Sequence, residues 1–190
     1  AIAGTLLKQF DLPGTVLTGS AASNFGGRST FVNGDKYFIA ETCEYKRNFL
    51  NYSADYLVIT SIEPDHLDYY KDFDDILSAF TEFGTSLSNG GRLIYCADDE
   101  GAKLAAGKIS GLRPDINLVP YGFSADGQFN ISDYSRKPGS QVFKIKAFGK
   151  NEFNLNIPGR HNVLNSTAAA ALICQFLDDE GYSAEKAGRA

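Results

Sequence analysis

Four groups of side chains in this chain have types and spacings that could do chemistry. Glu41 directly follows the apolar run Tyr37 to Ala40. An acid just past the carboxyl end of a strand faces the crevice where α/β sheets take ligands, and it can hold Mg²⁺ on a nucleotide. On its own, an ordinary solvated strand-end carboxylate is the simpler reading. Asp65-His66-Leu67-Asp68 follows a second apolar run. A histidine flanked by two carboxylates can ligate a metal while a neighbour fixes its tautomer; the same string also reads as an acid-capped helix start. Pro158-Gly-Arg-His-Asn-Val-Leu-Asn165 places Asn162 and Asn165 three apart at a helix start. Two amides on one face suit the edge of a base, although His161 and Asn162 could equally serve as caps. No G-x-x-x-x-G-K-[ST] phosphate loop is present. Gly101 to Lys108 is the nearest string, and it has five residues between its glycines and Ile109 where a hydroxyl should stand.

The elements that must carry these groups are legible from periodicity. Ile2 to Phe10 has helical spacing, ended by Pro13 and Gly14. A short strand TVLTG precedes a loop from Ser20 to Ser29. STFV and KYFIA flank Asn33-Gly34-Asp35, a hairpin signal. Asp55 to Ile62 is a continuous apolar run that predicts a strand covered on both faces of a parallel sheet. Phe73, Ile76, Leu77, Phe80 and Phe83 form the apolar stripe of a helix over 73–87, stopped by Asn89-Gly90-Gly91. Arg92 to Ala97 is a buried strand, Asp98-Asp99 caps the next helix, and Pro120 marks Asn117 to Tyr121 as an edge strand. Residues 128–157 alternate with period two in three runs and predict an antiparallel meander with one wet face. An Ala-rich helix over His161 to Phe176 follows, and Ser183 opens another. The sum is an α/β fold: a mostly parallel sheet flanked by helices, with a small antiparallel meander.

Composition narrows the class. The chain has 190 residues, a formal charge of −5 and 43% hydrophobic residues, so it suits a globular domain with no nucleic-acid partner, because backbone binding needs clustered Lys and Arg. No apolar run reaches the ~18–20 residues of a membrane helix. Cys43, Cys96 and Cys174 are odd in number and far apart, which argues against a disulfide framework and for a cytoplasmic setting. The chain starts at Ala1 and contains no Met, as an excised piece of a longer protein would, unless Met-type residues are missing.

Taken in order, three strings resemble the Mur ligase family. Ile39-Ala-Glu41-Thr-Cys-Glu44-Tyr-Lys-Arg-Asn-Phe-Leu50 is similar to the I-A-E-x-x-E-x-x-x-x-F-L string of its alanine-adding branch. Thr60-Ser-Ile-Glu-Pro-Asp-His-Leu-Asp68 resembles T-[NS]-[IM]-x-x-D-H-x-D, and Pro158 to Asn165 resembles P-G-x-H-N-x-x-N. Tyr121-Gly-Phe123 before the meander also fits. The absence of Lys between Lys71 and Arg92 agrees with the alanine-adding branch, which lacks the modified lysine of other branches. The resemblance implies a P-loop NTPase-like central domain spanning 1–190, with the phosphate loop upstream of Ala1 and with flanking amino- and carboxy-terminal domains. It implies ATP and Mg²⁺ as cofactors, UDP-N-acetylmuramate and L-alanine as substrates, and an acyl phosphate on the way to the amide in peptidoglycan precursor synthesis. It assigns Glu41 and His66 to Mg²⁺, and His161, Asn162 and Asn165 to the nucleotide, with Glu44 on the substrate side. Glu41 and His66 should then converge on one cleft. The fragment alone should turn over little or not at all. Cys43 and Lys46 stand where the family pattern has acids, and Ser61 where Asn is frequent. These departures leave room for a muropeptide-recycling or folylpolyglutamate-type ligase. A non-catalytic α/β module, its acids and amides serving only as caps, is the third reading.

Overall fold

The structure is a computed structural model that describes residues 1–181; the helix expected from Ser183 lies outside them. Its strands form two sheets. The larger has six strands in sequence order: β4 (Tyr56–Ile59), β5 (Arg92–Cys96), β6 (Asn117–Gly122), β7 (Phe129–Lys137), β8 (Ser140–Ile145) and β9 (Glu152–Leu155). Pairing is parallel from β4 through β7 and antiparallel from β7 through β9. The expected meander is therefore a continuation of the main sheet. Helices α2 (Phe73–Thr85) and α3 (Glu100–Leu112) make the crossovers between β4, β5 and β6. Successive right-handed crossovers in one direction place both on one face, where they pack on each other. Helix α4 (Arg160–Asp179) lies across β4 to β8 and also packs on α1 (Ile2–Gln9). Its Ala168, Ala169 and Ala171 are buried, and such short side chains let a helix sit close to a sheet.

The second sheet holds β1 (Gly14–Ala22), β2 (Arg28–Val32) and β3 (Tyr37–Ala40), in the order β2-β1-β3. Strand β1 is antiparallel to β2 and parallel to β3. The expected hairpin between STFV and KYFIA does not form, because β1 lies between them. The polar groups of the Asn33–Asp35 turn are spent on the entry to β1 instead. Asn33 donates its backbone N–H to Gly14 O (2.9 Å) and its amide to Leu12 O (3.1 Å), while Lys36 and Tyr37 N–H both reach Pro13 O. Strand β1 also runs further than expected, to Ala22 opposite Arg28. The loop shrinks to a tip where Gly26 and Gly27 hold φ of 67° and 75°, a backbone region that glycine enters without steric cost.

Two other expectations fail for identifiable reasons. The Asn117–Gly122 strand is interior, not an edge. Strand β7 pairs with it only through Tyr121 and Gly122, so Pro120 faces no ladder on that side and its missing N–H costs nothing. The run from Asp55 to Ile62 is regular only over Tyr56–Ile59, at the end of the six-strand order. Leu57 and Ile59 are buried, whereas Tyr56 and Val58 are half-buried, so coverage is complete on one face only. The core runs through Leu93, Ile94, Ile109, Tyr121, Phe129 and Ile145. Among the described residues no helix is long and apolar enough to cross a membrane.

Candidate functional site

The carboxyl ends of the strands present the predicted groups in three places. The first is Glu41. Its N–H continues the ladder to Leu17 O (2.9 Å), which fixes the residue at the end of β3. The exposed side chain turns toward Gly19; a Cβ there would lie 3.1 Å from Glu41 Oε1. Ala1, just ahead of α1, lies close enough for the Glu41 charge to act on it. Glu41 thus stands beside the amino-terminal end of α1 and against Gly19 of β1.

The second place gathers Glu44, Asp65 and His66. The alternative reading of this string, an acid-capped helix start, does not hold: a turn at 67–69 follows His66, and it is Asp72 that caps α2, accepting Asp75 N–H (3.0 Å). His66 has φ 53°, a left-handed conformation that needs local support in a residue with a Cβ. Asp65 Oδ1 accepts His66 N–H (2.7 Å), and His66 O accepts the N–H groups of Tyr69 (2.8 Å) and Tyr70 (2.9 Å). The imidazole Nε2 then lies 3.2 Å from Glu44 Oε1, and Nδ1 lies 4.0 Å from Asp65 Oδ1. The ring of Tyr45 sits 4.8 Å from the imidazole and donates its hydroxyl to Asp68 Oδ2 (3.0 Å).

Glu44 is presented by a tight 3₁₀ segment, Tyr45–Asn51, in which Lys46 and Arg47 both have positive φ. Arg47 holds that shape through Asp75 (2.6 Å) and Glu82 (3.1 Å) on α2, and Tyr70 donates its hydroxyl to Glu44 O. Phe49 anchors the far end against Phe80 and Phe83. Beside this group opens a cleft of about 360 Å³ lined by Thr42, Glu44, Leu57, Thr60, Glu63 and Asp65, among others.

One ligand atom from each of Glu44, Asp65 and His66 can come within 4.8 Å of the others. Two carboxylates and an imidazole, partly exposed so that water can complete the shell, suit a divalent cation; the oxygens match the preference of Mg²⁺. Glu41 is not in this group, and Glu44, expected on the substrate side, is. Sequence reasoning left Asp65 out, although its place beside His66 in the D-H pair was the available signal.

The third place is the start of α4. Gln141 on β8 is buried and donates its amide to Ile157 O (2.6 Å) and Gly159 O (3.1 Å). That fixes the Pro158-Gly159 turn. Gly159 has φ 102°, and a Cβ there would meet His161 Cε1 at 2.4 Å; the exposed imidazole occupies that space. The Asn162 amide N–H₂ turns back to Pro158 O (2.6 Å), and Asn165 is exposed one turn on. Arg160 and Asp98, which sequence reasoning did not single out for the site, meet at this end. Of the expected capping pair only Asp99 caps α3, accepting Ala102 N–H (2.7 Å) and also Ile62 N–H (3.1 Å).

Acids, an imidazole and amides gathered beyond the strand ends of a mostly parallel sheet and its smaller neighbour are the layout of an α/β ligand-binding domain with a crevice at the strand ends. Residues 24–173 match the family model of the Mur ligase middle domain. The chain belongs to that family. It is 40% identical over 172 residues to a UDP-N-acetylmuramate–L-alanine ligase of Treponema pallidum (strain Nichols), covering 90% of this chain and 36% of that protein. It is 34% identical over 178 residues to the enzyme of the same name from Desulfitobacterium hafniense (strain Y51), covering 93% and 38%. Among solved structures, a UDP-N-acetylmuramate–alanine ligase from Thermotoga maritima superposes with a TM-score of 0.66 at 25% identity, over 95% of this chain and 38% of that one. The chain spans little more than a third of the length of these relatives.

Proposed function

We propose that this chain acts as the nucleotide-binding middle domain of an ATP-dependent ligase that joins L-alanine to UDP-N-acetylmuramate. The observation that carries the reading is the Glu44–Asp65–His66 group beside an open cleft at the end of β4, within a chain related to ligases of that name. The reaction requires a carboxylate to attack a triphosphate, an encounter of two anions. A bound divalent cation would screen that charge. The role of the protein is to hold the donors in register. His66 Nε2 and the Glu44 carboxylate face each other across 3.2 Å, and Asp65 both supports the His66 backbone and adds a third donor. Glu41, beside the amino-terminal end of α1, would serve a second cation on the phosphate side. His161, Asn162 and Asn165 serve the base. Transfer of phosphate to the substrate carboxylate gives an acyl phosphate; the amine of L-alanine then displaces phosphate and the amide forms. Flanking domains, for which the greater length of the relatives leaves room, would supply the sugar and amino-acid sites.

The test is phosphate release by the full-length polypeptide with ATP, Mg²⁺, UDP-N-acetylmuramate and each of a panel of amino acids and peptides. Release that requires both UDP-N-acetylmuramate and L-alanine is expected. His66→Ala should lower turnover by about tenfold or more, the scale for losing metal-site support. Release driven only by a preformed peptide would move the reading to a muropeptide-recycling ligase, and the absence of any Mg²⁺-dependent nucleotide binding would leave a non-catalytic module.

A further inference from the structure

Asp98 is neither a helix cap nor a solvated acid. It follows β5, its side chain is only 14% exposed, and its two oxygens are shared among three partners. Oδ2 accepts the N–H of Phe123 (2.6 Å), Oδ1 accepts the hydroxyl of Ser124 (3.0 Å), and the Arg160 guanidinium approaches Oδ1 at 3.6 Å. The turn that makes this possible begins at Gly122, with φ 127°; a Cβ there would lie 2.1 Å from Asp98 Oδ2. The carboxylate therefore fills the space a side chain would take, and one acid ties the end of β6 to the first residue of α4. The result is a stack. The Arg160 guanidinium lies 4.0 Å from the centroid of the Phe123 ring, and Phe123 is braced edge-on by Tyr134 at 5.4 Å. Arg160 is half-exposed, so its outer face is open, next to His161 and within a turn of Asn162.

We infer that Asp98 is a positioning residue that holds Arg160 and Phe123 as a stacked platform for the planar base of the nucleotide. The inference rests on the ATP-binding reading above and adds to it the element that receives the base. A guanidinium is planar and weakly hydrated, and stacks on aromatic faces. Left free, its long side chain would lose rotamer freedom on meeting a base; held by the Asp98 charge and the Phe123 ring, it has less to lose. Asp98 itself need not touch the ligand.

The test separates base recognition from phosphate recognition in the full-length polypeptide. Asp98→Asn keeps the shape but loses the charge and one acceptor. The KM for ATP and the Kd for ADP should rise about tenfold, the scale of one charge-assisted hydrogen bond, with kcat held within about threefold. Inhibition by Mg²⁺ tripolyphosphate, which has no base, should be unchanged. Arg160→Gln should reproduce the loss, and the double variant should be no worse than either single, because both remove one unit. Equal weakening of ADP and tripolyphosphate would make Asp98 a general structural residue and overturn the inference. So would unchanged ADP affinity in Arg160→Gln, which decides the matter if Asp98→Asn fails to fold. Wild-type protein that binds no ADP would sink the ATP-binding reading itself; wild-type binding with an indifferent Arg160→Gln would sink only the platform.

Discussion

Gly101 is where packing and the candidate site meet most sharply. It lies in the first turn of α3, with the Ile62 carbonyl directly above it. A Cβ at Gly101 would stand 2.3 Å from Ile62 O and 2.8 Å from Ile62 Cβ. Ordinary contacts are about 3.5 Å, so Gly101→Ala must push the Ile62 backbone back by roughly 1 Å. Overpacking of this kind costs about 1–3 kcal/mol, and alanine's better helix propensity returns at most about 1 kcal/mol. The net expectation is a loss of about 1–2 kcal/mol, or ~2–8 °C in Tm for a domain of this size. The displaced segment is also the one Asp99 holds by the Ile62 N–H (3.1 Å), and it leads directly to Asp65 and His66. Divalent-cation affinity should therefore fall along with stability. Urea denaturation followed by circular dichroism, with a Mn²⁺ titration of the folded protein, measures both. Gly107→Ala in the same helix is the control. Nothing lies within 4 Å of its Cβ, and the change should stabilise by about 0.5–1 kcal/mol. A Gly101→Ala protein as stable as the Gly107→Ala one would refute the claim that α3 is packed glycine-to-carbonyl against the site loop.

Thiol chemistry should separate the three cysteines: Cys43 is exposed and Cys96 and Cys174 are buried, and burial pushes the Cys174 thiol up to about 12. One thiol should react with a disulfide reagent in native protein at pH 8 and three in urea, with Cys43→Ser abolishing the native reaction. The Arg113 guanidinium, bonded to both Asp115 oxygens at 2.8 and 2.7 Å, holds that carboxyl well below the usual carboxylate range. A depressed folded-state pKa contributes stability above the ordinary value near pH 4, and this is lost as the pH falls through the folded value. Asp115→Asn should therefore be less stable than wild type at pH 7, and the gap should close below about pH 4; a gap that is constant with pH would contradict the assignment. Gln141→Leu should free the Pro158-Gly159 turn and lower stability by about 1–3 kcal/mol, because two hydrogen bonds from a buried amide are lost together, read by the same urea titration.

Local periodicity made the helices and the meander legible. The α2 stripe at Ile76, Leu77 and Phe83 is buried as its spacing requires, and Asp99 caps α3. Pairing between strands was less legible, because β-branched alternation says that a strand forms but not beside which other. Asn33-Gly34 between two such runs carries the signal of a hairpin, yet its hydrogen bonds go to residues 12–14. Pro120 signals an edge, yet the partner strand simply starts beyond it. At the site, D-H-x-D was visible as a motif. Its partner was not: Glu44 stands beside His66 at the head of a segment in which Lys46 and Arg47 adopt positive φ and Arg47 pairs with Asp75 and Glu82, a bend no residue type there announces. Gln141 carries no signal in sequence and Asp98 reads there as part of a helix cap, yet both prove to be ties at the start of α4.

The central claim is that Glu44, Asp65 and His66 hold a divalent cation for phosphate chemistry. Anomalous diffraction from crystals of the full-length polypeptide grown with Mn²⁺ and ADP tests it most directly. The account predicts a Mn²⁺ peak in coordination distance of His66 Nε2 and of a carboxylate oxygen of Glu44 or Asp65, within reach of the ADP phosphates. Mn²⁺ bound with ADP at a place that leaves His66 and Glu44 paired only to each other would contradict it.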